Sequence, residues 1–130
     1  MRNIISSAFG LLIAMATFTS VAHHSTNLGY DVHKQTTIQG EFVDFKWMNP
    51  HAIVRLNVVN AKGEKELWTA ETHGATVLGR FGWRPNMFKP GEKLTLMGNP
   101  PRKPEQKAIH MLKATNAAGK TFDVNQKNTY

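Results

Sequence analysis

TTIQGEFVDFKWMNPHAIVRLNVVNAKGEKELWTAET, residues 36–72, is the stretch on which the fold turns, and it reads as three strands. Residues 36–47 are rich in β-formers, with apolar points at Ile38, Phe42, Phe45 and Trp47. The alternation a strand requires changes parity between Phe42 and Phe45, which predicts a bulge, and Gly40 eases a bend. Asn49-Pro50 then interrupts the ladder, because proline has no N–H to donate. Residues 52–59 resume the period of two, with Ala52, Val54, Leu56 and Val58 on one face and Ile53, Arg55, Asn57 and Val59 on the other. Asn60-Ala61-Lys62-Gly63 is a hairpin signal, and residues 66–72 return as the third strand.

Downstream the period changes. Ala75, Val77, Leu78 and Phe81 recur at helical spacing and Gly82 closes the segment, which predicts a short helix over 74–81. Phe88-Lys89-Pro90-Gly91-Glu92 turns into a strand at 93–97, and Gly98-Asn99-Pro100-Pro101 opens a loop that runs to Gln106. Residues 108–114 form another strand, with Ile109, Met111 and Lys113 on one side. Ala118-Gly119-Lys120 leads to a last short strand around Phe122 and Val124. Three strands, a helix, then two or three strands is the element order of a mainly β fold, a small OB-like antiparallel barrel with one helix between strands three and four. Neither an internal repeat nor a long linker interrupts it.

Upstream, Arg2 is followed by an apolar run from Ile4 to Phe18 and by small residues at Ser20 and Ala22. This is the pattern of a cleavable secretory signal, with cleavage after Ala22. The run is too short for a bilayer span, which needs roughly 20 apolar residues. The expected organisation is a signal peptide at 1–22, an N-terminal arm at 23–35, a β-barrel domain at 36–125 and a polar tail at 126–130 that frays. The expected location is the periplasm.

Composition narrows the function classes. The chain has 130 residues and no cysteine, which excludes a disulfide scaffold, Cys-based zinc sites and thiol nucleophiles. The net charge of +7 suits anionic envelope surfaces or plain solubility, and an exported protein does not meet nucleic acid. With no GxSxG or HExxH, catalysis has no motif to rest on, and Glu71 near His73 is the one carboxylate worth weighing as a general base. The chemistry falls to six histidines: His23, His24, His33, His51, His73 and His110. Cleavage after Ala22 gives His23 a free α-amine, so amine and imidazole can chelate one metal, with His24 beside them. Such nitrogen-rich donor sets suit Cu(II) or Ni(II), and Cu(II) tops the divalent affinity order. His51, just past Pro50 at a rigid corner, is the internal ligand, and His73 is a further candidate. His33 and His110 read as ordinary surface or strand histidines. Met48, Met87, Met97 and Met111 offer thioethers for Cu(I) or serve as core filler.

His23-His24-Ser25, Tyr30-Asp31 and Trp47-Met48-Asn49-Pro50-His51 resemble a family of small exported bacterial proteins of unknown function. Trp68-Thr69-Ala70-Glu71, Gly82-Trp83, Pro90-Gly91-Glu92 and Gly98-Asn99-Pro100 extend that resemblance over nearly all of residues 23–130. It implies a periplasmic location and a small β-barrel. As an arrangement, an N-terminal histidine plus one internal histidine is similar to the copper histidine brace of lytic polysaccharide monooxygenases and some copper-trafficking proteins. That likeness extends to His23 and His51 alone. The competing reading is an OB-like interaction module without metal. Trp47, Trp68, Glu71 and Trp83, with Arg55 and Arg84, would then bind an envelope protein partner, a glycan or an anionic ligand. Three tryptophans in a small barrel also serve as core and rim packing.

Overall fold

β1 (Thr36–Lys46) is an 11-residue strand that serves two neighbours. In the computed structural model, which describes residues 29–128, residues 36–41 pair with β4 (Lys93–Asn99) and residues 41–46 with β2 (Ile53–Val59), both antiparallel. The bulge lies between Phe42 and Asp44, so Val43 is the extra residue and Phe45 regains the inward side that Phe42 occupies. Gly40 lies close against β2, where a Cβ would stand 2.4 Å from the Asn57 carbonyl oxygen. The signal peptide, His23 and His24 lie outside the described residues.

β2 turns at Asn60 into β3 (Lys65–Glu71), with the Asn60 side chain accepting the N–H groups of Lys62 and Glu64. The helix α1 (Ala75–Arg80) follows, then β4, β5 (Ala108–Thr115) and β6 (Thr121–Asp123). β5 pairs antiparallel with β4 and parallel with β3, so the order β1-β2-β3-β5-β4 closes on itself, and β6 extends the sheet from β5. The chain therefore forms the expected five-stranded OB-like barrel with its short helix between strands three and four. No helix among the described residues is long and apolar enough to cross a membrane.

Ile38, Phe42, Val54, Leu56, Ala70, Leu94, Leu96, Ile109 and Met111 fill the barrel, and Leu78 from α1, Trp83 and Phe88 are buried with them in one core. Two local expectations are corrected. The β4–β5 register slips between Met97 and Gly98, which makes Leu112 an extra residue. Ala114 therefore takes the next inward place, while Lys113, expected beside Met111, points out to Asp123 at 3.6 Å. In α1 only Leu78 is buried, and Val77 faces solvent because it lies off the single docking stripe. Asn128 Nδ2 donates to the carbonyls of Phe81 at 2.8 Å and Asp123 at 2.9 Å, tying the tail to the loop after α1.

Trp83 is the largest fully buried side chain, at 0 % exposure, and its Nε1 donates to the Asp123 carbonyl at 2.9 Å. Its ring meets those of Phe45, Phe88 and Phe122 at centroid distances of 6.0 to 6.1 Å. Trp83→Ala is expected to lower the unfolding free energy by about 3–5 kcal/mol. Urea unfolding at unchanged m measures it, and a loss below ~1 kcal/mol would remove Trp83 from the centre of the core.

Candidate functional site

The Asn-Pro-His corner is held by the helix that follows it in space. Asn49 Oδ1 accepts the Thr76 N–H at 3.2 Å, its Nδ2 donates to Thr76 Oγ1 at 3.1 Å, and the Met48 carbonyl accepts the Ala75 N–H at 3.0 Å. These contacts satisfy N–H groups at the start of α1 that have no partner within the helix. Gly74 permits the approach, since a Cβ there would meet both Asn49 Oδ1 and the Pro50 carbonyl oxygen at 2.5 Å. The corner contains a cis Asn49–Pro50 peptide. On its far side Ala52 N–H donates to the His73 carbonyl at 3.1 Å, and Thr72 N–H to the Ala52 carbonyl at 3.0 Å. His51 and His73 therefore leave neighbouring backbones.

Glu71 ends β3. Ala70 is buried in the core, so Glu71 faces outward, and the parallel ladder sets it beside His110. One carboxylate oxygen, Oε1, pairs with His51 Nδ1, and the other, Oε2, accepts the Tyr30 hydroxyl at 3.1 Å. The Tyr30 ring lies 5.7 Å from that of His110. His110 Nδ1 makes a longer contact to Asn99 Oδ1 at 3.4 Å, and His73 Nε2 donates to Asn125 Oδ1 at 2.8 Å. Asn99, 5 % exposed, donates through Nδ2 to the Lys34 carbonyl at 2.8 Å. The arm is further tied by Asp31 N–H to the Pro100 carbonyl at 2.9 Å and Arg102 N–H to the Gly29 carbonyl at 3.0 Å. The result is an outer rim patch on which arm, corner and three strands converge.

Two groups in this patch depart from their ordinary acidity. Burial, reinforced by the charge and hydrogen bond of Glu71, pushes the Tyr30 hydroxyl up to about 12. Burial, then the neighbouring His73 and His51, hold the His110 imidazole below its ordinary 6.5, against the pull of Glu71.

The structure thus brings His51, His73 and Glu71 together. It adds His110 and Tyr30, neither of which the sequence reading had placed among the site residues. The His110 signal was faint: Ile109 faces inward, so His110 had to face out, but its neighbour across the barrel is set by a non-local ladder. Among the described residues no three His, Asp or Glu side chains stand as a group that could hold a metal. The tryptophans do not share a surface. Trp83 is core, Trp47 packs on Phe45 at 5.2 Å, and Trp68 is half-buried beneath Lys107 Nζ at 5.7 Å from its ring centroid. Arg55 is engaged by Asp44, and Arg84 donates to the Trp83 carbonyl at 2.7 Å. Beside Trp68 a groove of about 470 Å³ runs along Lys34, Pro100 and Pro104. Of the four methionines weighed as thioether donors, Met111 is fully buried and Met48, three residues before His51, is the most exposed.

The family of unknown function DUF6152 matches residues 11–110, a span that contains every histidine of the chain, Tyr30 and Glu71. No curated protein and no solved structure matches the chain.

The two shifted groups set opposite pH dependences. The Tyr30 contribution to stability is complete below pH ~10 and is lost as pH rises through about 12. Phenolate absorbance should therefore show one tyrosine titrating late, and Tyr30→Phe should remove that step. The His110 contribution is complete above pH ~6.5 and falls as the pH drops through its depressed folded value. His110→Gln should flatten the loss of stability between pH 7.5 and 5, read by urea unfolding; an unchanged slope would dismiss the His110 assignment.

Proposed function

Because the chain belongs to the family of unknown function DUF6152, its role has to be read from its own site, and we propose that it is a periplasmic copper-binding protein. In this reading the signal is cleaved after Ala22, and the α-amine and imidazole of His23, with His24, complete a site whose internal ligand is His51. His73 is the further candidate ligand. The observation that carries the reading is the convergence of His51, His73 and His110, from three separate segments, on the rim to which the arm is anchored at Tyr30. Imidazoles without thiolates suit copper, nickel or zinc, and adding an amine nitrogen tilts the set toward Cu(II).

The distances allow it. His24 precedes the Tyr30 anchor by six residue steps, and an extended chain covers at most about 3.6 Å per step, so His24 stays within roughly 20 Å of that anchor. His51 pairs with the same carboxylate that holds Tyr30, well inside this radius. The protein's own residues bind and orient the ion; the chemistry assigned to it is capture and carriage.

Isothermal titration with Cu(II) tests the reading on the chain that starts at His23, beside the same chain carrying one extra N-terminal Ala. Tight one-to-one binding is expected. Adding the Ala or making His51→Ala should weaken it by at least about tenfold, since even the outer partners of a metal ligand are worth that much. Weak binding indifferent to both changes overturns the proposal. The groove beside Trp68 would then become the place to screen for the ligand of an OB-like interaction module.

A further inference from the structure

Resting on the copper reading, we propose that Glu71 is the positioning residue of the metal site and that Tyr30 braces it. An imidazole binds a metal through one nitrogen, and a hydrogen bond at the other fixes its tautomer and the direction of its lone pair. His51 Nδ1 faces Glu71 Oε1, and among the described residues no hydrogen bond occupies its Nε2. The carboxylate accepts the Nδ1 proton, so the Nε2 lone pair is the one left for a metal.

The carboxylate itself is not free to swing. Its second oxygen accepts the Tyr30 hydroxyl at 3.1 Å, and Tyr30 is fixed in turn by its β-bridge to Pro101 and by its ring contact with His110. Glu71 is thus gripped from both sides, by the corner that carries His51 and by the arm whose upstream residues carry His23 and His24. One carboxylate sets the direction of the internal ligand and holds the arm at Tyr30, downstream of the others. Part-exposed pairs add little to stability, whereas a carboxylate behind a metal-bound imidazole is worth about ten- to a hundredfold in metal affinity.

The test compares Glu71→Gln, Glu71→Ala, Tyr30→Phe and His51→Ala in the chain starting at His23. Its readouts are Cu(II) titration, the electron paramagnetic resonance spectrum of the bound ion, and thermal unfolding of the copper-free proteins. Glu71→Ala is expected to weaken copper binding by about ten- to a hundredfold. Glu71→Gln, which keeps the shape and one acceptor, should lose less, and Tyr30→Phe about two- to tenfold. The Glu71 variants should change the copper spectrum while the copper-free proteins melt close to the parent, a pattern that a merely structural role does not give. If His51→Ala abolishes tight binding and both Glu71 variants bind with the parent affinity and spectrum, the positioning role is overturned and the copper site stands. If His51→Ala binds like the parent, the copper reading falls and this inference with it.

Discussion

Three residue pairs hold this molecule to its purpose: Thr69 with Ala108, Ala70 with Ile109, and Glu71 with His110. This short parallel ladder between β3 and β5 is what closes the barrel and removes the free edges of those strands. It also fixes the site. Along β3, Ala70 is buried and Glu71 faces out; along β5, Ile109 is buried and His110 faces out. A slip of either strand by one residue would turn Glu71 or His110 into the core and expose Ala70 or Ile109 in its place. The hydrophobic interior therefore enforces the polar rim, with no need for the rim residues to stabilise their own arrangement.

The arm is held by the same economy. Its carbonyls at Gly29 and Lys34 find donors in Arg102 N–H and Asn99 Nδ2, and its Asp31 N–H finds the Pro100 carbonyl. Asn99 can do this because β4 and β5 approach unusually closely at their register slip. A Cβ on Gly98 would stand 2.1 Å from the His110 carbonyl oxygen, so only glycine fits there. The buried amide of Asn99 is used at both ends, donating to the arm and accepting from His110. A buried polar group so satisfied orders its neighbours; left unpaired it would be costly. The arm, the slip in β4 and the orientation of His110 are one structural unit.

Local pattern made much of this legible. The parity change between Phe42 and Phe45 placed the β1 bulge, Asn49-Pro50 placed the corner, and Gly82, with φ of +91°, marked the end of α1. Each depends on a few adjacent residues. What escaped depends on partners distant in the chain. His110 belongs to the site through Glu71, 39 positions earlier, and Tyr30 through a hydroxyl that reaches the same carboxylate across 41. Lys113 left the inward face because of an extra residue that only the β4 register makes extra. Trp83 gave no local sign that it belongs to the core; its neighbours Phe45, Phe88 and Phe122 come from β1, the loop before β4, and β6. The tail is tied because Phe81 and Asp123 present carbonyls to Asn128, and nothing around Asn128 announces them.

The division of labour between barrel and arm bears on what the rim can bind. A barrel rim holds its side chains still, and here it holds His51 by a docked corner and a doubly gripped carboxylate. A rigid set of imidazoles closed upon itself would be a structural metal site, but no such closed set is present among the described residues. On the proposed reading, a single oriented imidazole beside an anchored arm is half of a site, and the other half comes from the start of the arm. Without cysteine in the chain, thiolates cannot supply it. The amine and imidazole nitrogens proposed at His23 and His24 can. The internal ligand is then built into the fold while its companions lie at the start of the arm.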